Sequence, residues 1–322
     1  MTLLCFSSNA NEQIQPKAFS SLITDITATP DGLMAVGERG HVFLYQLSQQ
    51  KSWQQVATPT GAMLTNVFSL DKQNAWAVGH DATIIHSSDS GKTWTTQFTS
   101  TDIDKPFLDV LFFNKQHGIA VGAYGLFYRT LDGGKNWASE FHDELLLEED
   151  RVYLNELKQS DPEGYEIEKG SLLPHFNRVL PLKDDRILLI GELGLVAVSN
   201  DQGKSFTSTD FPYEGSMFNA IENDNNIYVI GLRGNAFKSE QDLQHWTKVA
   251  SNSSATLHSA AVVNNKLLFV GNAGEVLTLN HVGKLELVRK QKGINFLTIA
   301  TDQAGQIWLG GTKGLKKISL NK

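Results

Sequence analysis

A seven-bladed β-propeller of four-stranded antiparallel blades is the fold this sequence predicts, on three observations. A short apolar strand ending in Gly-x-x-Gly, or a near variant, occurs seven times in 322 residues, with first glycines at Gly37, Gly79, Gly122, Gly191, Gly231, Gly271 and Gly311. The intervals are 42, 43, 69, 40, 40 and 40 residues, so one unit carries an insertion. Several units also carry a Ser/Thr-x-Asp-x-Gly turn after their third strand. A fixed period of this size marks an array of identical supersecondary units, and four short strands joined by tight turns are the unit of a propeller blade.

The second unit shows each element most cleanly. Leu64-Thr-Asn-Val67 opens an inner strand, Asn74-Ala-Trp-Ala-Val-Gly79 a second and Thr83-Ile-Ile-His-Ser87 a third. The turn Ser88-Asp89-Ser90-Gly91-Lys92 follows, and Trp94 opens the fourth. The other inner strands begin near Ile23, Phe107, Phe176, Phe218, Leu257 and Phe296. The second strands, such as Leu188-Leu-Ile-Gly191 and Leu268-Phe-Val-Gly271, are apolar at consecutive positions, which predicts burial on both faces. The glycines are expected to supply positive φ at the turns and close backbone approach near the hub.

The ends of the chain divide it further. Leu3-Leu4-Cys5-Phe6-Ser7-Ser8-Asn9-Ala10 reads as the tail of a secretory signal, with small residues before a cleavage point but no basic segment ahead of it. A frayed terminus is the alternative. Residues 11–322 then form one propeller. The last unit stops after Leu315-Lys-Lys-Ile-Ser-Leu320, so residues 11–17 are expected to pair with it and close the ring.

Composition narrows the function classes. The net charge of −7 is concentrated in residues 139–171, where eleven Asp or Glu against three Lys or Arg give −8, leaving +1 for the rest. A chain without a basic excess is a poor ligand for a phosphate backbone, so nucleic acid is excluded as the expected partner. No apolar run reaches the ~20 residues that span a bilayer. The nine histidines are dispersed without His-x-His or His-Glu-x-x-His, so no metal and no cofactor is expected. His86 and His258 fall within strands and read as packed. The Gly-x-x-Gly repeats join strand to strand, unlike a phosphate-binding loop ahead of a helix.

The motif Ser87-Ser-Asp89-Ser-Gly91-Lys-Thr93-Trp94 is an Asp-box, repeated as Thr130-Leu-Asp132-Gly-Gly134-Lys-Asn136-Trp137 and, with an aromatic change, as Ser199-Asn-Asp201-Gln-Gly203-Lys-Ser205-Phe206. Its aspartates are expected to accept backbone N–H bonds, its glycines to turn left-handed and its aromatics to pack beneath. These are structural roles. No residue is assigned a catalytic one.

The combination of strand, Gly-x-x-Gly and Asp-box, from Trp76-Ala-Val-Gly79 to Trp94 and from Gly118-Ile-Ala-Val-Gly122-Ala-Tyr-Gly125 to Trp137, resembles the photosystem II stability/assembly factor family. The resemblance covers nearly the whole chain after residue 11. It implies a seven-bladed propeller exported to a thylakoid lumen or a periplasm. It also implies a non-enzymatic role, assisting assembly of membrane reaction-centre subunits. Photosynthetic members present clustered arginines, whereas Arg39, Arg178 and Arg233 are scattered here and an acidic insertion is present. Those departures point to a non-photosynthetic bacterial homologue. Such homologues are often encoded beside resistance-nodulation-division-type transporters, so a membrane protein or envelope complex is the expected partner of a monomeric chain.

The turn between strands two and three shares a face with the inter-blade connections, opposite the Asp-box turns. Glu38, Arg39, His80, Asp81, Tyr124, Glu192, Arg233, Asn272 and Lys313 are expected around the channel mouth on that face, with Arg178 near the start of the fourth inner strand. Among these, Glu38, Arg39, Asp81, Tyr124, Arg178, Glu192, Arg233 and Lys313 are the candidate partner-binding residues. The insertion, residues 139–175, belongs to the same face. Its stretch Asp143–Lys158 predicts a helix with Leu146, Tyr153, Leu154 and Leu157 on one stripe, ended by Ser160-Asp161-Pro162-Glu163-Gly164. It reads either as a docking arm over the channel or as a solvated surface loop.

Two other functions remain open at this level. A glycan-binding protein or sialidase-like glycoside hydrolase could draw on Tyr124, Glu38, Glu192, Arg39, Arg178 and Arg233, although the Phe/Tyr-Arg-Ile-Pro motif is absent. It would need a carboxyl pair beside an arginine cluster. A purely structural propeller inside a larger assembly is the third.

Overall fold

The computed structural model describes Gln15, residues 17–47 and residues 52–320, and over these it is a seven-bladed propeller. Blade 1 runs Ile23–Thr29, Gly32–Gly37, Val42–Gln46 and Trp53–Val56, each strand antiparallel to the next. Blades 2 to 6 repeat that order, with inner strands Leu64–Ser69, Phe107–Phe112, Phe176–Pro181, Met217–Asn223 and Leu257–Val263. Blade 7 comprises Phe296–Thr301, Ile307–Gly311 and Lys316–Ile318 among the described residues. The fifth inner strand starts at buried Met217, one residue ahead of the expected Phe218, because Met217 is the residue paired with Gly231.

Second strands are buried along their length, as their unbroken apolar runs require. Ala75–Gly79, Gly118–Gly122 and Ile187–Gly191 are each buried at all five positions. Neighbouring blades sandwich them, and the core is correspondingly a ring of inter-blade layers. One layer stacks Trp76 on Phe112 at 3.5 Å and on His86 at 4.6 Å, with Trp137 edge-on to Phe112. His86 is therefore a packed residue, and burial lowers its pKa.

The two glycines of the repeat divide the work expected of them, because only the second of them carries the positive φ. The first is extended, with φ of −174° at Gly37 and −166° at Gly271, so it supplies no left-handed turn. A Cβ there would fall 2.0 Å from Leu22 O at Gly37 and 2.1 Å from Thr256 O at Gly271. The second is left-handed, as at Gly40 and Gly274, and abuts the carbonyl of an inter-blade connection, Thr60 O or Gln291 O. That contact places the strand-two to strand-three turns and the inter-blade connections on one face.

The ring closes through the inner strands of blades 7 and 1. Thr298 Oγ1 accepts from Ile26 N at 3.1 Å and donates to Asp25 Oδ1 at 3.1 Å. Tyr45 and Trp53 pack on Trp308 from the outer side. Of the segment expected to pair with the last blade, residues 11–14 and 16 lie outside the described residues. Gln15 N donates to Gln55 Oε1 of the outer strand of blade 1. Residues 1–10, with the expected signal remnant and Cys5, also lie outside them.

The insertion folds into two helices, α1 (Glu148–Ser160) and α2 (Pro162–Lys169), after a single 3-10 turn at Asp143–Leu145. The expected terminator is where the second helix starts: Asp161 caps it by accepting from Gly164 N, and Pro162 takes the first helical position, where no N–H is needed. The apolar stripe is also narrower than expected. Leu145, Leu146, Leu154 and Leu173 pack into the groove between blades 3 and 4, whereas Tyr153 is exposed. Neither helix is long and apolar enough to cross a membrane.

Candidate functional site

Each Asp-box forms the same local cage. Asp89 accepts from Thr93 N at 2.9 Å, Thr93 Oγ1 at 2.7 Å and Ser87 Oγ at 2.9 Å, while Ser87 Oγ accepts from Gly91 N. Asp132 and Asp201 repeat it with Asn136 and Ser205. Gly91, Gly134 and Gly203 are left-handed at φ 80°, 86° and 77°. Trp94 and Phe206 are buried beneath, and Trp94 Nε1 donates to Gly91 O.

The cages depress their carboxyl pKa values. Hydrogen bonds from the Asn136 side chain and backbone hold Asp132 at about 2. Burial pushes Asp201 the other way, but bonds from Ser199 and Ser205 outweigh it and also leave it at about 2. A carboxyl depressed on folding stabilises the fold above its unfolded pKa of about 4, and that stabilisation is lost as pH falls towards 2. Asp201→Asn is therefore expected to lower Tm at pH 7 and to flatten its decline between about pH 4 and 2. Parallel Tm–pH curves for variant and parent would refute the assignment.

A second feature was not legible in the sequence. Every inner strand bulges one residue after its buried opening residue, and a polar residue follows the bulge: Asp25, Asn66, Asp109, Arg178, Asn219, Ser259 and Thr298. This ring links blade to blade. Asp25 Oδ2 accepts from Asn66 Nδ2 at 3.0 Å and Val67 N at 3.2 Å. Asp109 Oδ2 likewise accepts from Val179 N at 2.8 Å. Arg178, expected near the partner-binding face, belongs to this hub, where its Nε lies 3.4 Å from Asp109 Oδ2.

Burial pushes Asp109 up to about 6 against the pull of Arg178. For a raised carboxyl the sign is reversed: its contribution is fully present below about pH 4 and is lost as pH rises through 6. Asp109→Asn should remove that slope, read as Tm against pH from 4 to 7. A slope that persists in the variant would assign it to another group.

The turns opposite the Asp-boxes carry the remaining candidates. Arg39, Asp81, Tyr124, Leu193, Arg233 and Ala273 hold equivalent left-handed positions with φ between 52° and 57°, and all are exposed. Lys313 stands at the same place in blade 7, exposed as well. In blade 4 the tip is Leu193; the neighbouring Glu192, the residue expected there, pairs with His175 at 3.3 Å. Glu38 turns inward, where its Oε1 accepts from Leu22 N. His80 is exposed, while Asn272 Oδ1 meets His258 Nε2 at 3.0 Å. The arginines thus occupy separate stations: a blade 1 turn, the hub and a blade 5 turn.

The insertion leaves this face beside Phe127 O and returns at Pro174, whose carbonyl accepts from Gly125 N. Its root is fastened by Arg129, 6% exposed, a residue the sequence did not single out. Arg129 forms two parallel bonds to Glu140, at 2.6 and 2.9 Å, and donates to Gln202 O and Gly203 O of the next Asp-box.

Fold and site together define an Asp-box propeller with a polar hub and one face of exposed turns. Residues 95–179 match the family model described as photosynthesis system II assembly factor YCF48, and the chain resembles that family. Among solved structures, a YCF48 bound to D1 peptide superposes with a TM-score of 0.67 at 15% identity, covering 94% of this chain and 95% of that one. YCF48 from Cyanidioschyzon merolae gives 0.68 at 17% identity, covering 94% and 96%. A streptogramin B lyase gives 0.71 at 10% identity, covering 94% and 95%. At these identities the likenesses establish the fold. No curated protein sequence matches the chain.

Proposed function

We propose that this protein is a non-catalytic docking factor of the cell envelope that holds a segment of a membrane protein on the face bearing Arg39, Tyr124, Leu193, Arg233 and Lys313. The observation that carries this reading is the ring of exposed side chains at equivalent turns, all on one face. Arg39, Tyr124 and Arg233 among its members are of the residue types enriched at protein interfaces. The family resemblance adds support, since one solved relative is a YCF48 bound to D1 peptide. An exported location, a non-photosynthetic host and a transporter of the resistance-nodulation-division type as partner belong to the same proposal.

A glycosidase reading finds little support by comparison. It needs a carboxyl pair free to flank a bond, and here Glu38 and Glu192 are engaged with Leu22 N and His175.

Photo-crosslinkers at Arg39, Tyr124 and Arg233, compared with Lys92 and Lys135 on the Asp-box turns, test the proposal in detergent-solubilised membranes. A membrane protein crosslinked only from the first set is the expected result. Equal yield from both sets, or none from either, would overturn it.

A further inference from the structure

We propose that the corner between blades 3 and 4, built from Lys105, Tyr124, His175, Glu192 and Leu193, recognises an extended protein segment by an apolar side chain with a neighbouring carboxylate. This rests on the docking-face reading above and names the chemistry of the segment.

Three observations carry it. The first is backbone strain at exposed apolar residues. Tyr124 and Leu193 are left-handed at φ 52° and 53°, where a bulky L-residue is unfavourable and Gly or Asn is tolerated. Both are also exposed, 48% and 68%, so folding gains little from either side chain. A partner that covers them would.

The second is that they share a braced base. The Tyr124 ring stands edge-on to His175, centroids 4.5 Å apart, and His175 Nδ1 lies 3.3 Å from Glu192 Oε2. Leu193 follows Glu192 directly in the chain, so its turn and the Tyr124 ring adjoin one fixed pair. Aromatic anchors held in this way are the usual energetic centre of an interface.

The third is an uncompensated cation. Lys105 Nζ lies 5.7 Å from the Tyr124 ring centroid and donates to Gly170 O at the end of the insertion. Among the described residues it has no ion pair, and two of its three donors are left for a carboxylate. A protein segment suits this corner better than a lipid surface, because the insertion that ends against Lys105 carries a net charge of −8 over residues 139–171 and repels anionic headgroups.

The test is fluorescence anisotropy of short labelled peptides, capped at both ends, on the full chain. The peptides present Leu-Glu, Leu-Gln or Ser-Glu in an otherwise constant sequence. Leu-Glu should bind roughly fivefold tighter than either relative, and Lys105→Gln should erase the preference for Leu-Glu over Leu-Gln. Leu193→Asn should weaken the Leu-Glu peptide by about tenfold, through lost apolar burial, while leaving Tm unchanged or higher. A merely structural Leu193 would lower Tm instead. Equal binding of the three peptides, no binding, or an unaffected Leu193→Asn variant would overturn the inference. If crosslinking from Arg39 and Arg233 persists in that event, only this inference falls and the docking face stands.

Discussion

Replacing Arg129 with alanine is expected to destabilise the protein by about 3–5 kcal/mol, from two hydrogen bonds of a buried charged donor to backbone carbonyls at about 1.5–3 kcal/mol each. The bond to Glu140 adds less because that carboxylate is 32% exposed. The guanidinium satisfies Glu140, the His117 ring and two carbonyls of the neighbouring Asp-box at once. Without it, Glu140 loses its paired bonds beside Phe127 and His142, and Gln202 O and Gly203 O lose donors inside the blade 3–blade 4 seam. Lysine should recover little, because an ammonium cannot present two parallel bonds to the carboxylate while reaching both carbonyls. The insertion should loosen with the seam, since Glu140 is its first residue past the outer strand Ala138–Ser139. Guanidinium unfolding would report the loss, and limited proteolysis should cut between residues 139 and 175 faster than in the parent. An unfolding midpoint unchanged from the parent would show that the network is dispensable.

Gly271→Ala should rank next, at about 3 kcal/mol or more, the upper part of the range for overpacking. The added methyl would sit 2.1 Å from Thr256 O and 3.1 Å from Leu257 Cα, both backbone atoms that no rotamer change can move aside. The strand must separate, and the bond from Asn272 N to Thr256 O at 2.9 Å breaks with it. Gly61→Ala is the control, because nothing lies within 4 Å of its Cβ position and its φ is not left-handed. Calorimetry should give a large fall in Tm for the first variant and almost none for the second. Similar Tm values would mean that the extended glycines are not close-approach positions.

Local patterns are legible in the sequence because the interactions behind them are local. The Asp-box joins Ser87, Asp89, Gly91 and Thr93 within a few residues, so one turn contains its own explanation. The second strands announced burial by apolar runs, and the Gly-x-x-Gly spacing announced the repeat. The first glycine was harder: its spacing marks a special position, but whether φ or space is the reason depends on a carbonyl one strand away. Asp161-Pro162 is ambiguous in the sequence for a related reason, since a cap that begins a helix uses the residues that end one.

What the sequence determined by itself is therefore the blade, its recurrence seven times and the place of the insertion, each encoded within about forty residues. The tertiary structure alone decided the hub and the seams. Asp25 meets Thr298 across 273 residues, Asp109 meets Arg178 across 69, and Arg129 reaches Gly203 across 74. It also decided which turn residues stay exposed and that Tyr124 packs on a His175–Glu192 pair one residue from Leu193. Closing a ring brings together residues from different repeats, and no spacing within one repeat records which of them will meet.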